Sequence, residues 1–135
     1  MQTIKTKLKF VLLIFSFIFF TSCDKEETDT EKPIIHVDEP LMNDTIALSA
    51  SPEIHIEFTV QDNAALKQVS VKLTNSIGTE LFLENRSVDG LKVFSFHEHY
   101  MPTGINGITP FTVTVMATDK KNNTATQSIP IFVKP

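Results

Sequence analysis

Apolar and polar residues alternate regularly along much of this chain, and the alternation constrains the fold more than any other feature of the sequence. It is clearest from Ile54 to Val60, and it recurs in three further segments: 69–73, 111–117 and 129–133. Successive side chains of a β-strand point to opposite faces, so a period of two predicts strands with one buried face and one solvent-exposed face. The sequence shows no helical period, and we therefore expect an all-β fold.

Weaker alternation and turn-forming residues complete the pattern. Four further strands are predicted at 34–37, 45–48, 80–83 and 91–99. Asp, Asn and Gly cluster between the strands, as in Asp62-Asn63 and Asp89-Gly90, and such clusters are typical of turns. Seven or eight short strands, without tryptophan or a disulfide, favour a single immunoglobulin-like antiparallel β-sandwich over residues 33–135.

The inward-facing residues of these strands form the predicted core. It is built on Ile54, Ile56, Phe58, Val69, Val71, Phe94, Phe96, Val113, Val115, Ile129 and Ile131. Pro130 lies within the last predicted strand and has no N–H for a neighbouring strand, so we expect that strand at a sheet edge. The alternation continues almost to Pro135, and we expect no second domain after it.

The N-terminus carries the pattern of an export signal. Three lysines (Lys5, Lys7 and Lys9) precede the apolar stretch Phe10–Phe20. A membrane-spanning helix needs about 20 apolar residues, so this stretch is too short to be a transmembrane anchor and is typical of a signal peptide. It leads directly into Thr21-Ser22-Cys23, which contains the only cysteine of the chain.

The residues Phe20-Thr21-Ser22-Cys23 resemble the lipobox of bacterial lipoproteins. The resemblance implies that residues 1–22 are a lipoprotein signal peptide and that Cys23 becomes diacylated, which anchors the protein to a membrane. The two acyl chains agree with the number that stable anchoring requires. The alternative is an ordinary signal peptide that leaves Cys23 as a free thiol. A lone cysteine has no disulfide partner, and this favours lipidation.

Residues 23–32 are predicted to be a disordered acidic tether. Between Cys23 and Pro33 there is no aliphatic or aromatic residue, so this segment has no apolar surface to bury. Lys25-Glu26-Glu27 resembles the surface-export signal of Bacteroidota lipoproteins, which implies a surface-exposed outer-membrane lipoprotein. The alternative is a generic charged linker.

The net charge of the mature chain argues against nucleic acid as a partner. Removal of the three signal-peptide lysines leaves nine basic residues against 16 acidic ones, a net charge of −7. Nucleic-acid binding needs a basic surface, so it is disfavoured. The expected partners are the membrane, through the lipid, and an envelope protein or glycan.

A second resemblance covers most of the domain. Residues 116–123 are similar to the corner between the F and G strands of many bacterial immunoglobulin-like and cadherin-like domains, with Asn122 where glycine is usual. Together with Phe96–Pro102, this corner resembles an uncharacterised family of Bacteroidota immunoglobulin-like lipoproteins. The family has no assigned activity, so the resemblance implies only a fold and a cellular location.

Three histidines form a candidate metal site. Strands 53–61 and 91–99 correspond to the B and E strands, which are antiparallel neighbours in this fold. If Phe94 and Phe96 point into the core, then His55, His97 and His99 point outward and meet on one surface. Three such ligands suit zinc or copper. The alternative is a set of exposed polar side chains on a solvated sheet face.

A candidate calcium site lies at the opposite end. Asp62 and Asn63 follow the B strand, and Asp119, Asn122 and Asn123 follow the F strand. The loops after these strands lie at the same end of the fold, and their oxygens suit Ca²⁺. The alternative is that these residues bond to their own backbone in tight turns.

Catalysis has little support in the sequence. There is no nucleophile elbow, HExxH pair or phosphate-binding loop, although two distant carboxylates that meet in the fold remain an alternative. We expect a non-catalytic binding, adhesion or structural module, with a metal-binding lipoprotein as the alternative. The outward face of strand 110–119 (Thr112, Thr114, Met116 and Thr118) is either a binding surface or a row of good β-formers.

Anchoring through Cys23 is testable in cells. We expect Cys23→Ala to release the protein from the membrane fraction or to block its processing, because no other residue accepts the lipid. Fractionation with and without detergent measures this, and Ser22→Ala, which keeps a small residue before the cysteine, is the matched control. A Cys23→Ala protein that still needs detergent for extraction contradicts lipidation.

Overall fold

Eight strands form two packed sheets in residues 28–135, the part of the chain that the computed structural model describes. The strands are β1 (Ile34–Glu39), β2 (Thr45–Ala47), β3 (Ile54–Gln61), β4 (Leu66–Asn75), β5 (Glu80–Ser87), β6 (Val93–Tyr100), β7 (Thr109–Asp119) and β8 (Thr124–Lys134). One sheet has the order β1-β3-β6, and the other has the order β2-β8-β7-β4-β5. The predicted all-β sandwich is confirmed. The signal peptide and Cys23 lie outside the described residues.

Buried and exposed residues alternate along the strands in the same way as apolar and polar residues alternate in the sequence. In β3, Ile54, Ile56, Phe58 and Val60 are all fully buried, and the residues between them are exposed or half-buried. The inward side chains of β7 and β8 meet them from the larger sheet. Burial of one such apolar side chain contributes about 1.5–3 kcal/mol. The seam between the sheets therefore holds the domain together.

Ten of the eleven predicted core residues are buried, and Phe94 is the exception. Phe94 is half-buried and packs against the rim of the core. It lies near the start of β6, which is an edge strand of the smaller sheet, so no further strand shields it on that side. The placement of Phe94 in the fully buried core was therefore wrong.

One strand pair departs from the antiparallel prediction. The short β2 pairs in parallel with the end of β8, at residues 132–134. The prediction that β8 is an edge strand is therefore wrong. Pro130 lies opposite Thr112 of β7, and its carbonyl accepts a hydrogen bond from the backbone N–H of Asn43 at 2.7 Å. In an antiparallel pair the N–H and C=O groups of one residue point to the same side of the strand. The carbonyl of Pro130 points to Asn43, so its nitrogen also faces away from β7, and the pairing with β7 loses no hydrogen bond.

The buried core lies wholly between Ile54 and Val133. A fragment of residues 24–135 therefore contains every described contact, and its length is ordinary for an independently folding domain. Within residues 28–135 there is no helix with the length and hydropathy needed to cross a bilayer.

The stacked rings of Phe58 and Phe96 provide a test of the core. Their centroids are 4.9 Å apart and their planes are inclined by 17°. We expect Phe58→Ala to lower the free energy of unfolding by about 3–5 kcal/mol, because it removes apolar contacts and leaves a cavity. Urea denaturation of residues 24–135 measures the change. Phe132→Ala, at an exposed phenylalanine, is the matched control, and equal losses in the two variants contradict the core assignment.

Candidate functional sites

The register of β3 and β6 brings the three predicted histidines together. His55 lies directly opposite His99, and His97 lies opposite Glu57. The ring centroids of His55 and His99 are 4.3 Å apart, and those of His97 and His99 are 4.8 Å apart. One ring nitrogen from each histidine lies within 4.8 Å of the others. We call these residues the histidine triad; whether it binds a metal stays a prediction.

Two glutamates orient the triad. The Nδ1 atom of His99 lies 2.8 Å from Oε2 of Glu53, and Nδ1 of His55 lies 3.5 Å from Oε2 of Glu39. Metal-bound histidines usually donate one ring N–H to a carboxylate, which fixes the tautomer and leaves the other nitrogen for the metal. Glu39, Glu53 and His55 also line a groove of about 370 Å³ beside the triad. The glutamates were missed in the sequence, because only the tertiary structure places them against the rings.

A cluster of three carboxylates lies at the ends of β3 and β7. Asp62 directly follows β3, and Asp119 is the last residue of β7. They are 8% and 0% exposed, respectively, and each offers a carboxylate oxygen within 4.8 Å of the others and of one from Asp29. We call Asp29, Asp62 and Asp119 the aspartate cluster.

Turn hydrogen bonds hold two members of the aspartate cluster in place. Oδ1 of Asp62 accepts from the backbone N–H of Ala64 at 3.0 Å. Both oxygens of Asp119 accept from Asn123, one from its backbone N–H and one from its side-chain amide, each at 2.7 Å. These are the backbone-directed bonds that aspartates make in tight turns. They leave Oδ2 of Asp62 buried and without a partner.

The third member, Asp29, comes from the segment predicted to be a solvated tether, and the prediction was wrong at this residue. Its backbone carbonyl accepts from the amide of Asn123 at 3.1 Å, and its Oδ1 accepts from the amide of Asn63 at 3.2 Å. Polar hydrogen bonds therefore dock a segment that has no apolar side chain. Composition carries no signal for this contact, because it depends on groups supplied by two distant loops.

Of the three asparagines predicted with the calcium site, Asn123 donates to Asp119 and Asp29, and the other two make different contacts. Asn63 directs its amide nitrogen to Asp29, and the amide oxygen of Asn122 accepts from Nζ of Lys67 at 2.9 Å. Asn122 has a φ of 67°, the left-handed conformation that favours glycine and that asparagine tolerates. The structure therefore brings together Asp62 and Asp119 of the predicted calcium ligands, with Asp29 in addition.

A third feature lies on the outer face of the larger sheet. A groove of about 380 Å³ crosses β5, β4, β7 and β8 there, and Leu83 and Met116 are its exposed apolar residues. Polar and charged side chains surround these two; they are Ser70, Lys72, Glu80, Asn85, Thr114 and Thr126. We call this surface the sheet groove. It includes Thr114 and Met116 of the predicted threonine-rich face.

Comparisons with known proteins identify a family and a fold. The family described as "Domain of unknown function (DUF4625)" matches residues 21–131. No curated protein matches the chain. Among solved structures, the E. coli chaperone DraB is similar, with a TM-score of 0.50 and 15% sequence identity over 81% of this chain. The chain spans 58% of DraB, and at this identity the likeness shows the fold alone.

The docking of Asp29 through Asn123 gives a stability prediction. We expect Asn123→Ala to lower the free energy of unfolding by about 1–3 kcal/mol, because it removes the amide that donates to Oδ2 of Asp119 and to the carbonyl of Asp29. We also expect faster amide hydrogen exchange in residues 28–32. Urea denaturation and exchange mass spectrometry measure the two effects. Asn85→Ala, at an exposed asparagine, is the control, and an unchanged exchange rate in Asn123→Ala contradicts the docking.

Proposed function

The chain belongs to the DUF4625 family, whose function is unknown, and we propose that it is a non-catalytic protein-binding module held at the outer membrane by lipid on Cys23. The lipobox-like residues and the Lys25-Glu26-Glu27 run support this location at the outer membrane. A surface-exposed position on the outer membrane follows from the resemblance to Bacteroidota lipoproteins. The acidic net charge suits an exterior surface.

The sheet groove carries the proposal of a binding role. Leu83 and Met116 are 47% and 43% exposed, and the other residues that line the groove are polar or charged. An apolar centre with a polar rim is the arrangement of protein interfaces, and methionine is enriched there because it adapts to irregular surfaces. The rim carries both Lys72 and Glu80, so it offers charges of both signs. These features favour a protein partner over a glycan.

Site-specific crosslinking in cells tests the sheet groove. A photoreactive residue at Thr126, inside the groove, is expected to trap one envelope protein. The same residue at Ser95, on the exposed face of the smaller sheet, is the control and is expected to trap nothing. Met116→Glu places a charge in the apolar centre and is expected to abolish the crosslinked product. A product that forms equally from both positions, or that survives Met116→Glu, contradicts the proposed interface.

Transition-metal binding by the histidine triad is the second candidate function. The observation that favours it is the pair of contacts from Glu53 to His99 and from Glu39 to His55, both through Nδ1. With Nδ1 turned to a carboxylate, each ring presents Nε2 for a metal, as in many zinc sites. His97 supplies the third ligand, and water would complete a tetrahedral zinc site.

Calorimetric titration with Zn²⁺ and Cu²⁺ tests the triad in residues 24–135. We expect micromolar or tighter binding, and we expect the double variant His97→Ala/His99→Ala to lose it. Glu53→Gln is expected to weaken it by about 10–100-fold, because this residue orients His99. His36→Ala removes an exposed histidine on β1 and is the control. Absence of binding at millimolar metal removes this candidate.

A further inference from the structure

Hydrogen bonds within the turns do not satisfy every carboxylate oxygen of the aspartate cluster. Asp62 is 8% exposed, and its Oδ2 atom is buried without a hydrogen-bond partner. Oδ2 of Asp29 is likewise buried without a partner. Turn bonds satisfy Asp119 and one oxygen of Asp62, but they do not reach these two atoms. An ionised oxygen that is buried without a partner costs free energy, so these atoms call for a positive ligand.

Three lysines that flank or contact these loops have other partners. Nζ of Lys67 donates to Asn122, Nζ of Lys92 donates to the backbone carbonyl of Asn63, and Nζ of Lys120 lies 3.3 Å from Asp89. The partners of these three ammonium groups are thus residues outside the cluster. Mutual repulsion of three carboxylates within such a short distance adds to the cost of burial.

We propose that Asp29, Asp62 and Asp119 bind one Ca²⁺ ion, which clamps the N-terminal segment to the β3–β4 and β7–β8 loops. Calcium is a hard cation that takes six to eight oxygen ligands, and carboxylates bind it through one or both oxygens. The three aspartates supply up to six oxygens. The two that lack a hydrogen-bond partner are ready for the ion without the loss of an existing bond.

The surroundings of the cluster also suit a partly hydrated ion. Asp62 and Asn63 line a cleft of about 240 Å³ together with Glu31 and Lys32. This cleft opens beside Asp62 and would leave room for water ligands to an ion bound there. Calcium fits better than magnesium, because Mg²⁺ demands a near-ideal octahedron, while Ca²⁺ accepts the irregular set of ligands that three separate segments provide.

The clamp would make the position of the N-terminal segment depend on calcium. Asn63 and Asn123 already hold Asp29 by two hydrogen bonds. The ion would add a third attachment through the carboxylate of Asp29. Loss of calcium would leave three like charges facing one another, and repulsion would favour release of Asp29, the one member that precedes the first strand. This inference does not depend on the sheet groove or the histidine triad.

Calorimetry and hydrogen exchange on residues 24–135, stripped of metal with a chelator, test the proposal. We expect one Ca²⁺ to bind per chain with a dissociation constant of about 10⁻³ M or lower, the range of extracellular calcium modules. Asp29→Asn and Asp62→Asn keep the size of the side chains and remove one charge each. We expect each to weaken binding by about tenfold or more, because affinity depends on the number of charged ligands. Asp38→Asn, at an exposed aspartate on β1, is the control.

Two further readouts separate a calcium ligand from a residue that only supports the fold. Calcium is expected to slow amide exchange in residues 28–32 of the wild type but not of Asp29→Asn. In the chelator, Asp62→Asn is expected to melt at the same temperature as the wild type or higher, because it relieves repulsion and keeps a side-chain oxygen for Ala64. Absence of binding at 10 mM Ca²⁺, equal affinity in all variants, or a lower melting temperature of Asp62→Asn in the chelator overturns the proposal.

Discussion

Burial of the apolar face of β3 against the larger sheet is the interaction on which the other features of the domain depend. Ile54, Ile56, Phe58 and Val60 have no exposed surface, so the strand cannot shift by one residue without turning these side chains to solvent and burying its polar ones. The constraint also directs the alternate residues of β3 outward, so His55 lies on the exposed face, where the register with β6 pairs it with His99. The core thus determines where the surface chemistry lies.

The two candidate metal sites lie at opposite ends of β3 and differ in chemistry. The histidine triad is partly exposed and is backed by carboxylates, which suits a borderline transition metal. The aspartate cluster is mostly buried and offers oxygen only, which suits a hard cation. The histidine triad lies within one sheet, whereas the aspartate cluster joins residues next to strands of both sheets.

A clamp at Asp29 would also relate the domain to its anchor. Five residues lie between Cys23 and Asp29, and an extended chain of six Cα-to-Cα steps spans at most about 22 Å. If Cys23 carries lipid, a fixed Asp29 would hold the β3–β4 and β7–β8 loops near the membrane. The sheet groove crosses the outer face of the larger sheet. Its presentation to a partner would then depend on how firmly the N-terminal segment is docked.

Short-range pattern was sufficient for the fold class, the main strands and ten of the eleven expected core residues, because burial of one face imposes a period of two on the sequence itself. It was also sufficient for the histidine triad, because the strand assignment and antiparallel pairing together define which side chains meet. The alternation of apolar and polar residues did not predict features that depend on contacts between residues far apart along the chain. Phe94 is only half-buried because β6 is an edge strand, and β8 is not an edge strand because β2 pairs with it. Both facts depend on which strand ends each sheet.

The aspartate cluster shows the same division. The sequence by itself placed Asp62 and Asp119 at the ends of two strands, and the expected immunoglobulin-like topology brings those ends to the same side of the sandwich. Only the tertiary structure decided that Asp29 joins them and that Asn122 turns to Lys67. Hydrogen bonds between loops have no periodicity, and a polar segment docks only where the folded chain presents the matching donors, which is why local sequence carries no record of them.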